Sequence, residues 1–370
     1  MHVAIDGREL VGRQTGAGRY LDCLLSEWAR LDAARAHSFT VYAHEAVPRQ
    51  ATGLRLTHAV LPGAGGARWE QVTLAGALRR DRPDVLFAPA YTAPLLIAAP
   101  VALTIHDVSF VAHPEWFRPR ERWRRRIVTR AAARRARVLL TDSDFSRLEI
   151  EHRLGVPAER IRVVRLGIRR MDGDLDSLAA GAIGRSVPHA RPVVLFVGTL
   201  LNRRHVPELI GAAARARQRV HGLRLVLVGD NRTWPRQDPA AIAGRLGVSD
   251  HVDVRAFVPE EELRELYAAA SVFVFLSEYE GFGLTPLEAL AAGVPAIVLD
   301  TPVAREVYGA AARYVPSPDP EVVSAAIVEL LTSDAARRDL LSHAPAVLER
   351  YRWADAAAAT LDAIEQAARR

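Results

Sequence analysis

Short apolar runs alternate with helix-period stretches along the whole chain, and this alternation restricts the fold more than any other feature. In the first half the runs fall at 3–5, 40–43, 54–60, 85–87, 101–105 and 138–141, with helical patterns at 20–31, 70–80 and 120–137. An N-capped helix through Leu154 and a strand at 161–165 complete that half. The second half repeats the theme, with strands at 193–197, 223–228, 252–257, 272–276 and 296–299. Helical patterns follow them at 207–220, 240–246, 260–270, 286–292, 321–331 and 335–351, and an amphipathic stretch closes at 353–368. Apolar runs of this length read as strands buried on both faces, and strands separated by helices assemble into parallel sheets. The pattern predicts an α/β chain with two doubly wound parallel-sheet domains, at 1–168 and 193–352. A glycine- and proline-containing segment of mixed charge, 169–192, reads as the linker. At 370 residues the chain exceeds one ordinary core, which agrees with two domains.

Composition narrows the setting. No uninterrupted apolar run approaches the roughly 18–20 residues needed to span a bilayer, and the start, Met1 to Asp6, reads as a strand and not as a signal sequence. The single cysteine, Cys23, leaves no partner for an internal disulfide and no thiolate-rich metal site. The expected location is the cytoplasm. All 49 basic residues are arginine. Residues 1–168 hold 26 arginines against 17 acids, a net of +9, and the remainder holds 23 against 26, a net of −3. The basic character of the first half implies an anionic partner or surface there. It peaks in 118–137, where ten arginines and the single acid Glu121 are interleaved with Trp123, Ile127 and Val128. Such a helix can lie on an anionic membrane; it reads equally as a solvated helix with genome-biased arginine. No recognisable nucleic-acid-binding motif accompanies it, so no nucleic-acid partner is expected.

The chemistry concentrates in 278–295, after the strand 272–276. Thr285 as a hydroxyl N-cap, Pro286 at the first helical position and Gly293 as the stop predict a helix over 286–292. Glu280-Gly281-Phe282-Gly283 is then a strand-to-helix loop at a helix N-terminus, a natural anion site, with Glu288 in the first turn facing the same mouth. The loop opening at Gly198 carries Arg203 and Arg204, whose guanidinium groups suit a diphosphate. In the first half, Gly16-Ala17-Gly18 reads as a glycine loop opening a helix, either a ligand loop or a plain turn. His106 ends the strand 101–105, where ligands bind in doubly wound folds; the alternative is a structural histidine hydrogen-bonded to Asp107. Asp142 and Asp144 precede a helix and read as a cap, not as a metal pair, so no metal ligands are assigned.

Together these motifs resemble the retaining glycosyltransferases of family 4, with the GT-B fold. The likeness rests on Gly16-x-Gly18-Arg19, the stretch ending in His106-Asp107, the Asn202-Arg203-Arg204 loop, and Glu280 and Glu288 with seven residues between them in the Glu-x7-Glu block. It covers essentially the whole chain. The resemblance implies two Rossmann-like domains facing across a cleft, with the helix at 353–370 crossing back onto the first. It also implies that Glu288 binds the ribose of a nucleotide sugar, and that Glu280 with the backbone of Gly281, Phe282, Gly283 and Leu284 holds donor sugar and phosphates. Arg203 and Arg204 would neutralise the diphosphate, Gly16 and Gly18 would approach it, and His106 would sit near the anomeric carbon. His106, Glu280 and Arg204 form the implied catalytic set, and Phe257, Val258 and Leu263 resemble the nucleobase wall. Arg204 stands where the family usually has lysine, and His205 where asparagine is common. The expected reaction is metal-independent hexosyl transfer with retention, the leaving phosphate accepting the acceptor's proton, and no cofactor beyond the nucleotide sugar. GDP-mannose is the first expected donor and UDP-sugars the second; the acceptor is a glycan or lipid-linked. Peripheral contact with the inner face of the plasma membrane through 118–137 goes with that setting. The alternatives are a nucleotide-sugar epimerase and a non-catalytic surface-binding protein on the same scaffold.

Overall fold

The computed structural model describes residues 1–12, 16–47, 53–168 and 191–369. Of the expected linker, only Arg191 and Pro192 fall among them. The chain forms two compact units. One comprises Met1–Pro114, Pro119–Gly167 and Tyr351–Arg370; the other comprises Glu115–Arg118 and Ile168–Arg350.

The first unit is built on β1 (His2–Asp6), β2 (Ser38–Ala43), β3 (Arg55–Val60), β4 (Val85–Ala88), β5 (Val101–Thr104), β6 (Val138–Thr141) and β7 (Ile161–Val163). The sheet is parallel throughout, in the order β3-β2-β1-β4-β5-β6-β7. Strands β4, β5 and β6 are buried at every position, as expected for strands covered by helices on both faces. Strand order reverses between β1 and β4, so the carboxyl ends of these two strands diverge and leave a crevice. The last helix, Trp353–Arg369, belongs to this unit. Its Ala357 carbonyl accepts from the indole of Trp28 at 2.9 Å, Glu365 meets His37 at 3.0 Å, and Asp362 meets Arg162 at 2.7 Å. Trp28 and Ala357 are fully buried.

The second unit is built on β8 (Val193–Val197), β9 (Arg224–Val228), β10 (Val252–Arg255), β11 (Val272–Phe275), β12 (Ala296–Leu299) and β13 (Ala312–Val315). It too is parallel, ordered β10-β9-β8-β11-β12-β13, with its reversal between β8 and β11. Burying a Val, Leu or Phe fully contributes roughly 1.5–3 kcal/mol per side chain, and every residue of β11 and β12 is buried.

Three local expectations change. Strand β13 was not anticipated, because Arg313 is exposed and Tyr314 only half-buried. The single helix over 335–351 is two, Asp334–Ser342 and Ala344–Leu348, the second carrying Pro345 in its first turn. A proline there lacks the N–H that would continue the preceding helix. Finally, Gly16 and Gly18 lie inside the first turn of the helix Gly16–Trp28 and not in a loop before it.

Candidate active site

The second sheet gathers its candidate polar side chains at the carboxyl ends of the strands flanking its own reversal. In the second unit those strands are β8 and β11. Beyond β8 a single helical turn, Asn202–Arg204, carries both arginines, and beyond β11 comes the loop with Glu280. The two loops meet through charge. Arg204 Nε donates to Glu280 Oε1 at 2.8 Å, its Nη2 approaches the same oxygen at 2.7 Å, and Arg203 Nη2 lies 3.5 Å from Glu280 Oε2. Ser277 Oγ donates to Glu280 Oε1 at 2.8 Å. Arg204 is braced further by the Thr199 carbonyl at 2.8 Å and by the Phe275 ring, 4.9 Å from its guanidinium carbon. Burial pushes the Glu280 carboxyl up, but the guanidinium groups of Arg204 and Arg203 and the Ser277 hydroxyl outweigh it and hold it below the usual carboxylate range. Two guanidinium groups share one carboxylate, so the trio keeps a net charge of +1 for an anion.

Two glycines shape this centre. Gly198 has φ +147, and a Cβ on it would stand 2.7 Å from Arg204 Nη1, displacing the guanidinium. Gly283 has φ +90, and a Cβ there would stand 2.2 Å from the Tyr308 hydroxyl, which donates to the Gly283 carbonyl at 2.8 Å. That left-handed residue corrects the expected helix start. The helix is Leu284–Ala291, Gly283 is its N-cap, and neither Thr285 nor any other side chain caps it. Pro286 is tolerated because it lies in the first turn, where N–H groups have no intrahelical acceptor. Glu288 consequently belongs to the second turn. It is 5% exposed, so it is no solvated helix residue, and the fully buried Tyr267 donates to its Oε2 at 3.1 Å.

Gly281 and Phe282 sit in the Glu280 loop; Phe282 is buried and, with Glu280, Ser277, Phe275 and Tyr308, lines a small pocket that is partly open to solvent. The expected nucleobase wall is mixed. Phe257 is 59% exposed, Val258 is 7% exposed, and Leu263 is half-buried, so Phe257 is the side chain of the three that presents a broad apolar face. His205 holds a left-handed conformation, φ 49, that asparagine adopts more readily than most residues. Its Nε2 lies 2.5 Å from Glu278 Oε1 and its Nδ1 3.6 Å from Glu208 Oε2. Burial acts to lower its pKa, and hydrogen bonds and charge from Glu208 and Glu278 prevail and raise it.

In the first unit the reversal lies between β1 and β4, with β5 next in the sheet. His106 follows β5 and is not bonded to Asp107. Its Nδ1 lies 2.8 Å from Asp142 Oδ2, and its Nε2 lies 3.1 Å from the carbonyl of Pro89, the residue after β4. Asp107 instead accepts from the Tyr91 hydroxyl at 3.1 Å and from the Ser109 N–H at 2.8 Å. Asp142 is likewise not the cap of the following helix, Asp144–Leu154; Ser143 is, its Oγ accepting from the Ser146 N–H at 3.0 Å. Tyr20, in the helix that Gly16 and Gly18 open, packs edge-on against His106 with ring centroids 5.0 Å apart. The first unit thus brings the Gly16–Gly18 turn and His106 to one end of its sheet. The second brings together Gly198, Arg203, Arg204, Glu280 and Gly283, and leaves Glu288 on Tyr267.

Asp142 was within reach of sequence reasoning only as a strand-end carboxylate; its place before a helix pointed to capping. Ser277 and Tyr308 carry no motif signal. Among the described residues, no group of three or more histidine, cysteine or carboxylate side chains is arranged to hold a metal ion.

Comparison with known proteins separates along the same two units. Residues 15–170 match the model of Glycosyltransferase Family 4, and residues 185–346 match that of Glycosyl transferases group 1. The O-antigen chain mannosyltransferase B of Escherichia coli is 28% identical over 301 residues, 78% of this chain and 76% of that protein. The MMP alpha-(1->4)-mannosyltransferase of Mycolicibacterium hassiacum is 28% identical over 282 residues, 72% of this chain and 66% of that one. For the alpha-D-kanosaminyltransferase of Streptomyces kanamyceticus the match spans 54% of the relative. Among solved structures, a glycosyltransferase involved in lipopolysaccharide biosynthesis superposes with a TM-score of 0.75 at 18% identity, covering 98% of this chain and 99% of that one. An Anabaena protein in complex with UDP and glucose superposes with a TM-score of 0.71 at 18% identity, covering 99% of each chain.

Proposed function

The chain belongs to the glycosyltransferases of GT-B fold, family 4 in its first half and group 1 in its second, and on that footing we propose that it transfers a hexose from a nucleotide sugar to a glycan or lipid-linked acceptor with retention of configuration. The observation that carries the reading is the Arg203–Arg204–Glu280 centre at the reversal between β8 and β11. Breaking a glycosyl–phosphate bond develops negative charge on the departing diphosphate. Two guanidinium groups, held by a carboxylate, a carbonyl and a ring, are preorganised to meet it. Arginine supplies that charge without a metal ion. The reaction is front-face displacement, with the leaving phosphate taking the acceptor's proton. Glu280, already held by the arginines, has its remaining acceptor capacity for donor-sugar hydroxyls, and Glu288, oriented by Tyr267, takes the ribose. Gly16, Gly18 and His106 bind substrate at the strand ends of the first unit, and Phe257 flanks the base with Val258 and Leu263 behind it.

GDP-mannose is the first donor to test, since two curated relatives that align over two thirds or more of this chain are mannosyltransferases. UDP-sugars come second. The protein works in the cytoplasm, with its arginine-rich helix against the anionic inner face of the membrane. The test is a panel of GDP-, UDP- and ADP-sugars, read as binding and as product formation with an acceptor mixture. A GDP-sugar is expected to bind and turn over, Glu288→Ala to abolish turnover, and Arg204→Ala to lower kcat by about 10²–10³-fold. Failure to bind any donor in the panel would sink the proposal.

A further inference from the structure

His106 is occupied at both ring nitrogens. Asp142 Oδ2 lies 2.8 Å from Nδ1 and the Pro89 carbonyl oxygen 3.1 Å from Nε2, and the two side chains are 14% and 5% exposed. A carbonyl oxygen can only accept, so Nε2 carries a hydrogen. Asp142 then fixes the other nitrogen in one of two ways. Either a charged ring donates from Nδ1 to the carboxylate, or a protonated carboxyl donates to a neutral Nδ1. Both arrangements hold one proton between the two residues, and in both Nε2 is a donor.

The surroundings reinforce this. Asp107 is turned to Tyr91 and Ser109, the Tyr20 and Tyr91 rings stand edge-on to the imidazole at 5.0 and 5.8 Å, and Ser146 Oγ donates to the His106 carbonyl at 3.1 Å. The charged or titratable groups facing the ring are therefore Asp142, Asp107, Tyr20 and Tyr91. Burial acts against the charged ring, and the charge and hydrogen bond of Asp142, the charge of Asp107 and the Pro89 carbonyl together overcome it, so the pKa of His106 is raised.

We propose that Asp142 is a positioning residue that makes His106 a permanent hydrogen-bond donor through Nε2, so that the ring holds an acceptor oxygen of the bound substrate and never serves as its proton acceptor. This rests on the reading of the strand ends of the first unit as substrate-binding. A substrate oxygen would share the Nε2 hydrogen with the Pro89 carbonyl or take it over.

Asp142→Asn and Asp142→Leu together test this. In Asp142→Asn the amide N–H donates to a bare Nδ1, so the neutral ring keeps its hydrogen on Nε2 against the Pro89 carbonyl, whereas in Asp142→Leu nothing holds Nδ1 and the ring loses its fixed orientation. With the nucleotide sugar that the donor panel identifies, kcat/KM of Asp142→Leu is expected to fall about tenfold to a hundredfold at pH 8, while Asp142→Asn stays within about threefold of the wild type. Imidazole nitrogen NMR on the wild-type protein reads the Nε2 hydrogen directly, whether or not the variant folds. A bare Nε2 in the wild type would overturn the proposal. So would a loss in Asp142→Asn equal to that in Asp142→Leu, or no loss in Asp142→Leu, while His106→Ala is impaired. Unchanged turnover in His106→Ala would instead overturn the substrate-binding reading, and the proposal with it.

Discussion

Gly283 and Tyr308 constrain each other, one by its left-handed backbone and the other by a hydroxyl lodged where a Cβ would be. Gly283→Ala is expected to destabilise the protein by roughly 1–3 kcal/mol, through strain at positive φ and displacement of the Tyr308 hydroxyl. Adding Tyr308→Phe should recover only the steric share, since the backbone strain stays; thermal unfolding of the two variants measures both. Glu280 gives a pH signature. Its folded pKa lies below the ordinary 4.5. The stability it contributes is therefore present above that value and lost as pH falls through the lower, folded one. Glu280→Gln should lower Tm at neutral pH by leaving two guanidinium groups without their carboxylate. It should also make the acid-side fall in Tm shallower than in the wild type. The residues of this centre were legible in the sequence because Glu280, Arg203 and Arg204 sit in strand-end loops of recognisable pattern, with Glu288 following in the Glu-x7-Glu block. Their pairing was not. Glu280 and Arg204 are 76 positions apart, and only the parallel contact of β8 with β11 brings their loops together. Asp142 was misread for a related reason: capping is a local rule, and its partner is 36 positions away.

At the scale of the element, His205 ties the loop after β8 to the loop after β11 through Glu278, and the Glu278 N–H donates to the Arg203 carbonyl at 2.9 Å. The folded pKa of His205 lies above the ordinary 6.5. That stabilisation is complete below about pH 6.5 and disappears as pH rises through the raised value. His205→Asn, which tolerates the left-handed backbone, should lose this dependence. Its donor KM is expected to vary less than that of the wild type between pH 6 and 9, with steady-state kinetics as the check. Strands were readable wherever sheet burial made them almost wholly apolar, as in β6, β8 and β12, whose bounds match the sequence expectation residue for residue. Edge strand β13 has a neighbour on one side alone and keeps an exposed arginine, so it lacks that signature. The helix after Gly283 began two residues early because a backbone conformation, not a side-chain cap, decides where it starts.

Across the whole molecule, charge is divided between the halves, and the helix Pro119–Arg135 concentrates it. Thr129, Ala132 and Ala133 turn inward, while Trp123 and Ile127 are 68% and 47% exposed among the arginines. No helix among the described residues is long and apolar enough to cross a membrane. The protein is expected to sediment with anionic vesicles at about 0.05 M salt and to be released by about 0.5 M, as the screening length shrinks to a few ångströms. Equal retention on neutral vesicles would remove the electrostatic account. The doubled α/β architecture was legible from the alternation of apolar runs alone, because period and burial are written locally.

The place of Trp353–Arg369 within the first unit has a consequence for how the protein is made. A ribosome releases residues 1–168 long before the segment that buries the Trp28 indole against Ala357 and pairs with His37 and Arg162. The second unit, whose two segments both precede Tyr351, can close while synthesis continues, whereas the first waits with an apolar seam open. A nascent chain stalled near residue 350 should therefore hold a protease-resistant second unit beside a protease-sensitive first one, and the order of folding runs opposite to the order of synthesis.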